Sequence, residues 1–152
     1  MEQILLDKKN ILIELLKERE LIEFFEIRDA SDNSCVYVDG RETLKNGTPA
    51  RFRIILDSSP ITSARISFYQ LLDSDKRSAM IEAINQVNEH VSLSKFFLAS
   101  DNLLTAEFSY TAPGEFFKPE ILMELINFQL DMIDEFAYHE LVEKVVEQKP
   151  EH

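Results

Sequence analysis

The stretch INQVNEHVSLSKFFLASDNLLTAEFSY, Ile84 to Tyr110, decides how this chain folds. It opens as helix. Met80, Ile84, Val87 and Val91 recur at three- to four-residue spacing, and Asp73 or Ser74 offers an N-cap, so a helix is expected over about 75–91. The period then drops to two. Leu104, Ala106, Phe108 and Tyr110 alternate toward one side, and Asp101-Asn102, two residues that tolerate positive φ, mark a hairpin turn. A two-residue loop would turn Phe97 and Ala99 inward with them. A three-residue loop would turn in Phe96 and Leu98, because a slip of one residue exchanges the faces.

The same stretch gathers Asn85, Asn88 and His90. Ile81, Asn85 and Asn88 form one column of the helix beside its apolar stripe. Asparagine at such a margin can bond the main chain of the following segment, so Asn85 and Asn88 are read as a structural tie. His90 stands near the helix C-terminus, where a protonated imidazole is favourable. An active site here would need a nucleophile or metal ligand nearby, and none is evident.

Outward from this stretch the pattern stays simple. Upstream, Ile4, Leu5, Ile11, Leu12, Leu15, Leu16 and Ile22 give residues 2–23 an amphipathic helical pattern, with Lys8 and Arg19 at its margins. CVYV (35–38), RFRIIL (51–56) and ARISFY (64–69) are β-branched and aromatic runs. Asp39-Gly40, Asn46-Gly47 and Ser59-Pro60 punctuate them, which predicts an antiparallel meander of three or four strands. Asp39-Gly40 and Asn46-Gly47 compete for the first hairpin. Downstream, TAPGEFFKPE (111–120) reads as a loop, Pro119 suits a first helical turn, and a last helix is expected over about 118–147. Strands in blocks without βαβ alternation predict an α+β fold in one domain, 1–152. The expected order is α-β-β-β-α-β-β-α, an antiparallel sheet with three helices mainly on one face.

Composition narrows the function. The 152 residues carry a net charge of −12, which disfavours non-specific contact with nucleic acid or an anionic membrane. A single cysteine, Cys35, fits a reducing, cytoplasmic compartment. The start, MEQILLDKK, shows no signal-peptide pattern, and no apolar run approaches the ~18 residues of a membrane helix. Three glycines leave little room for a glycine-rich nucleotide loop. Zinc-protease, P-loop, nucleophile-elbow and dinucleotide motifs are absent. DASDNS (29–34) lacks the glycine and closing glutamate of a calcium loop. Cys35, within a strand run, is read as a small buried hydrophobe. His152 is terminal. Neither catalytic residues nor a cofactor is expected.

The helix ending in Asn-x-x-Asn, the Asp-Asn hairpin and the acidic PEILMELINFQLDMIDEF (119–136) together resemble the YbjN family. That family shares its fold with the type III secretion chaperones. The resemblance is sharpest from Ile81 to about Tyr138. It implies a small, acidic, cytoplasmic and commonly dimeric protein that binds partner polypeptides without catalysis. It supplies no catalytic residues, and nothing in the sequence indicates a secretion role.

Two surfaces are candidates for partners. In the last helix, Ile121, Leu122, Leu125, Ile126, Phe128, Met132, Ile133 and Phe136 fill one broad side, opposite Glu120, Glu124, Asn127, Asp131 and Asp134. Beyond it, Leu141, Val142, Val145 and Val146 project toward the acidic side. Either the helix kinks and returns this tail to its own core, or a straight tail meets a second copy of the chain. In the strands, Arg51, Arg53 and Arg65 face away from the inward Phe52, Ile54 and Leu56, on a basic sheet face able to dock a peptide or a second copy. The expected function is therefore a chaperone-like or regulatory module that binds a polypeptide as a homodimer. The alternative is a small ligand-binding protein or enzyme with a pocket between the second helix and the C-terminal hairpin.

Overall fold

The structure, a computed structural model, describes residues 1–149. Helix α1 (Gln3–Glu18) precedes four strands: β1 (Phe25–Asp29), β2 (Cys35–Thr43), β3 (Pro49–Asp57) and β4 (Ile61–Gln70). Helix α2 (Arg77–His90), the hairpin β5 (Lys95–Leu98) and β6 (Leu103–Thr111), and helix α3 (Pro119–Met132) follow. The strands form one antiparallel sheet in the order β1-β2-β3-β4-β6-β5. The α+β class and its three helices are as the sequence indicates. The sheet has one strand more than the expected order, because FEIRD at the β1 edge is short and its Phe25 and Ile27 are only half-buried.

Turn chemistry sets the register. At Asn46-Gly47 the Gly47 N–H bonds the Leu44 carbonyl, and Gly47 takes φ +88°, the left-handed conformation that favours glycine. Asp39-Gly40 therefore lies inside β2. Gly40 has a different use there: a Cβ on it would stand 2.2 Å from Cζ of Phe52, so its bare backbone seats that ring. In the second hairpin Asn102 adopts φ +63°, its N–H bonds the Ala99 carbonyl, and Leu98 pairs with Leu104. This is the three-residue loop. Phe96 is accordingly buried beside Leu104, Ala106 and Phe108.

Helix α1 stops at Glu18, short of Ile22. Glu20 turns into φ +58°, and the Leu21 N–H closes on the Leu16 carbonyl at 2.7 Å. Leu5, Leu12, Leu15 and Leu16 are buried from this helix, and so is Lys8. The Lys8 ammonium donates to the carbonyls of Asp57 (3.0 Å) and Ser59 (2.8 Å), clasping the β3–β4 turn. Burial pushes its pKa below the usual lysine value, partly offset by the charge of Asp57. Marginal in the helical pattern, this lysine is in fact fully enclosed.

The tail takes the first of the two courses left open by the sequence, so Leu141, Val142, Val145 and Val146 are not the partner contacts for which they were candidates. The chain beyond Met132 does not continue as a straight α-helix toward a second copy. It winds through π turns at Ile133–Ala137 and His139–Glu143. Bonds from residue i+5 back to i, such as Lys144 N–H to the His139 carbonyl, widen each turn and retard its rotation. Ile133, Ala137, Leu141 and Val142 thereby fall on the core side and are fully buried, while Val145 and Val146 are half-buried against the same core. Tyr138 accepts a bond from the Thr48 hydroxyl (3.3 Å), and Lys76 holds the Val146 carbonyl (2.9 Å).

Candidate functional site

Alternation along each strand gives the sheet two faces. The inner face carries the core, and the outer face carries polar side chains in rows set by the register. One row runs Glu26, Asp39, Arg53, Arg65, Glu107, Lys95 across all six strands. Its charges are largely satisfied. Arg53 makes a two-pronged bond to Asp39 (2.7 and 2.9 Å), which raises its pKa further and holds it charged. Arg65 donates to Glu107, which Lys95 also approaches at 3.6 Å. Arg28 and Arg53 both stack on the Tyr37 ring, with guanidinium carbons 5.3 and 4.7 Å from its centre.

The adjacent row differs. Arg41 on β2 stands directly opposite Arg51 on β3, followed by Ser67 on β4, Thr105 on β6 and Phe97 on β5. Both arginines are exposed, and among the described residues neither has an ion-pair or hydrogen-bond partner. The Ser67 and Thr105 hydroxyls bond each other at 3.1 Å. Phe24, 72% exposed, flanks the row at the β1 end. These residues line a concavity of about 870 Å³ that Arg53, Arg65, Ala99 and Leu103 also border. Its acids include Glu23 and Glu26 at the β1 margin and Asp101 in the hairpin turn. The Asp101 carboxylate is turned back to the Leu103 N–H (3.2 Å).

The structure thus brings Arg51, Arg53 and Arg65 together on the outer face and adds Arg41. That fourth arginine went unread because Asp39-Gly40 competed for the turn. Once Asn46-Gly47 takes the turn, the alternation Tyr37, Asp39, Arg41 places it. Cys35 begins β2 on this side and is half-buried, not a core residue, since it pairs with Asp57 at the end of the ladder. Leu141 and Val142 are enclosed in the core, and Val145 and Val146 are half-buried against it.

Asn88 makes the expected tie. Its Nδ2 donates to the Phe96 carbonyl (3.1 Å), and its Oδ1 accepts from the Phe96 N–H (2.8 Å). Asn85 makes no such tie and faces solvent one turn earlier. Next to Asn88 a shallow hollow of about 420 Å³ lies between the end of α2 and the hairpin, lined by residues 91–95 and 107–109. Both polar atoms of Asn88 are engaged with Phe96, and His90 is exposed outside the hollow. Among the described residues no group of three or more His, Cys, Asp or Glu is placed to hold a metal ion, and no helix is long and apolar enough to cross a membrane.

A third feature lies on α3. Only part of its broad apolar side is buried: Leu122, Ile126 and Ile133 enter the core, with Met123 and Leu130. Ile121 (40% exposed) and Phe128 (62%) stay outside, with Leu125 and Met132 half-buried between them. No family model matches the chain, and no curated protein matches it either.

Proposed function

We propose that the chain is a non-catalytic, chaperone-like or regulatory module that binds a segment of a partner polypeptide on the outer face of its sheet. The observation that carries this is the 870 Å³ concavity, where arginine, acidic, hydroxyl and aromatic side chains meet on one open surface. A broad open hollow of this kind suits an extended chain better than an enclosed small molecule. The sequence resemblance to the YbjN family and to secretion chaperones points to the same class of activity.

The test is selection of binding peptides from a random display library, followed by photocrosslinking. A photoreactive residue at Ser67 should capture the peptide, and one at Asn85, on the helical side, should not. Failure to select any peptide would overturn the proposal, and so would capture from position 85 alone.

A second reading concerns self-association. Ile121, Leu125, Phe128 and Met132 recur at i, i+4, i+7 and i+11, the spacing of a helix-pairing seam, with Glu120, Glu124 and Asp131 exposed on the same helix. A homodimer through this stripe would tighten as salt screens the acids. Sedimentation of the wild type and Phe128→Lys at low and high salt tests it. A monomer throughout removes the dimer.

A further inference from the structure

We propose that Arg41 and Arg51 form a binding site for a carboxylate side chain, so that the polypeptide segment bound on the sheet is an acidic one with apolar neighbours. This rests on the polypeptide-binding reading above and names the chemistry of its partner.

The pair is anomalous in this chain. Acidic residues number 28 against 16 basic ones, yet two arginines face each other across β2 and β3 with no carboxylate between them. Like charges directly opposite on a sheet repel. The nearest acid on the same face and strand, Asp39, is already engaged by both prongs of Arg53. Glu107 is engaged by Arg65 and approached by Lys95. Each guanidinium offers five N–H donors in a planar fork, matched to the two oxygens of a carboxylate. An anion seated between the two would turn their repulsion into two charge-assisted contacts.

The rest of the row indicates what carries that anion. Ser67 and Thr105 continue the polar track, and Phe97 and Phe24 lie at its ends, with Leu103 at the border. A peptide lying along the row would place an acidic side chain at the arginines and apolar side chains on the aromatic rings. The net charge of −12 opposes such a segment at long range. At physiological ionic strength the screening length is about 8 Å, so carboxylates on the far side of the molecule are screened. Of the acids around the concavity, Asp39 is engaged by Arg53, Asp101 is turned back to the Leu103 N–H, and Glu23 and Glu26 stand at the β1 margin. A second copy, equally acidic, would bring its whole charge to the same face.

The experiment measures binding of fluorescent ten-residue peptides in three matched sets: Asp/Glu with Phe/Leu, the same peptides with Asn/Gln, and the same with Lys. The acidic set should bind at least tenfold more tightly than its amides. Arg41→Gln and Arg51→Gln should each erase that preference without unfolding the protein, as judged by circular dichroism, and Arg51→Glu should favour the lysine set. Arg28→Gln, outside the concavity, should leave the preference intact. If amide peptides crosslink at Ser67 as tightly as acidic ones, the arginine site falls and polypeptide binding stands. If no peptide of any set binds, the underlying reading falls and takes this one with it. Inorganic phosphate competing at the affinity of the acidic peptide would mark a general anion site and overturn the proposal. A wild-type dimer dissociated by Arg51→Glu would overturn it as well, because a second copy would then be the occupant.

Discussion

On β3, Phe52, Ile54 and Leu56 point toward the helices, while Arg51, Arg53 and Ile55 point away. The strand is the same and the backbone bonds are shared, yet the two faces have opposite character. The inner face is closed by α1, α2, α3 and the tail, and its side chains are almost wholly removed from water. Its one buried charge among the described residues, Lys8, is met by two carbonyls. The outer face is left open, with one row of matched charges beside one row of unmatched ones. The inner face is thus organised for stability. The outer face keeps a repulsive pair that adds nothing to stability, and on that pair the proposed ligand site rests.

That contrast can be broken most sharply at Leu141. If the tail belongs to the inner face, Leu141→Ala should lower stability by about 2–5 kcal/mol in chemical denaturation, as cavities in a closed core do. Deleting residues 140–149 should prevent folding. A loss below 1 kcal/mol would return the tail to the other course the sequence left open, a surface facing a second copy. The next effect is at Asn88, which holds both main-chain groups of Phe96 where the inner face meets β5. Asn88→Ala should cost about 1–3 kcal/mol by leaving them unpaired. Peptide binding by the folded fraction should be unchanged.

The outer face should respond in the opposite direction. Arg51→Thr removes one of two facing charges and adds a good strand former. It should stabilise the domain by about 0.2–1 kcal/mol while weakening binding of acidic peptides. Destabilisation would mean that Arg51 has a structural partner. The smallest effect is a pH dependence at Lys8. Its folded pKa lies below 10.5, so between that lowered value and 10.5 the unfolded chain holds more protons. Stability from this group therefore rises with pH through that window. The difference between wild type and Lys8→Met, followed by urea denaturation, should grow there. The raised pKa of Tyr69, due chiefly to burial, acts the other way but is common to both proteins and cancels. A flat difference would show that Lys8 titrates as if in water.

Much of this architecture was legible in the chain because local rules govern it. The change from three- to four-residue spacing at Met80–Val91 to two-residue spacing at Leu104–Tyr110 marks helix and hairpin whatever surrounds them. Asn88 could be assigned because its column faces the segment that follows it. Alternation about Phe52, Ile54 and Leu56 placed Arg51, Arg53 and Arg65 on one face. Three things needed the assembled molecule. With the turn at Asn46-Gly47 and not at Asp39-Gly40, Gly40 lies across the strand beneath the Phe52 ring, a contact between residues 12 apart in sequence. That turn put Arg41 opposite Arg51. The burial of Leu141 and Val142 depends on two π turns, which a period of 3.6 residues cannot anticipate, because they form only where the core offers enough apolar contact to compensate for the poorer helix geometry. The enclosure of Lys8 depends on two carbonyls of the β3–β4 turn, 49 and 51 residues away. Periodicity and turn chemistry are properties of neighbours along the chain, and the sequence determined them. Which polar groups find partners, and that Arg41 comes to stand opposite Arg51, is settled only when distant strands take their register.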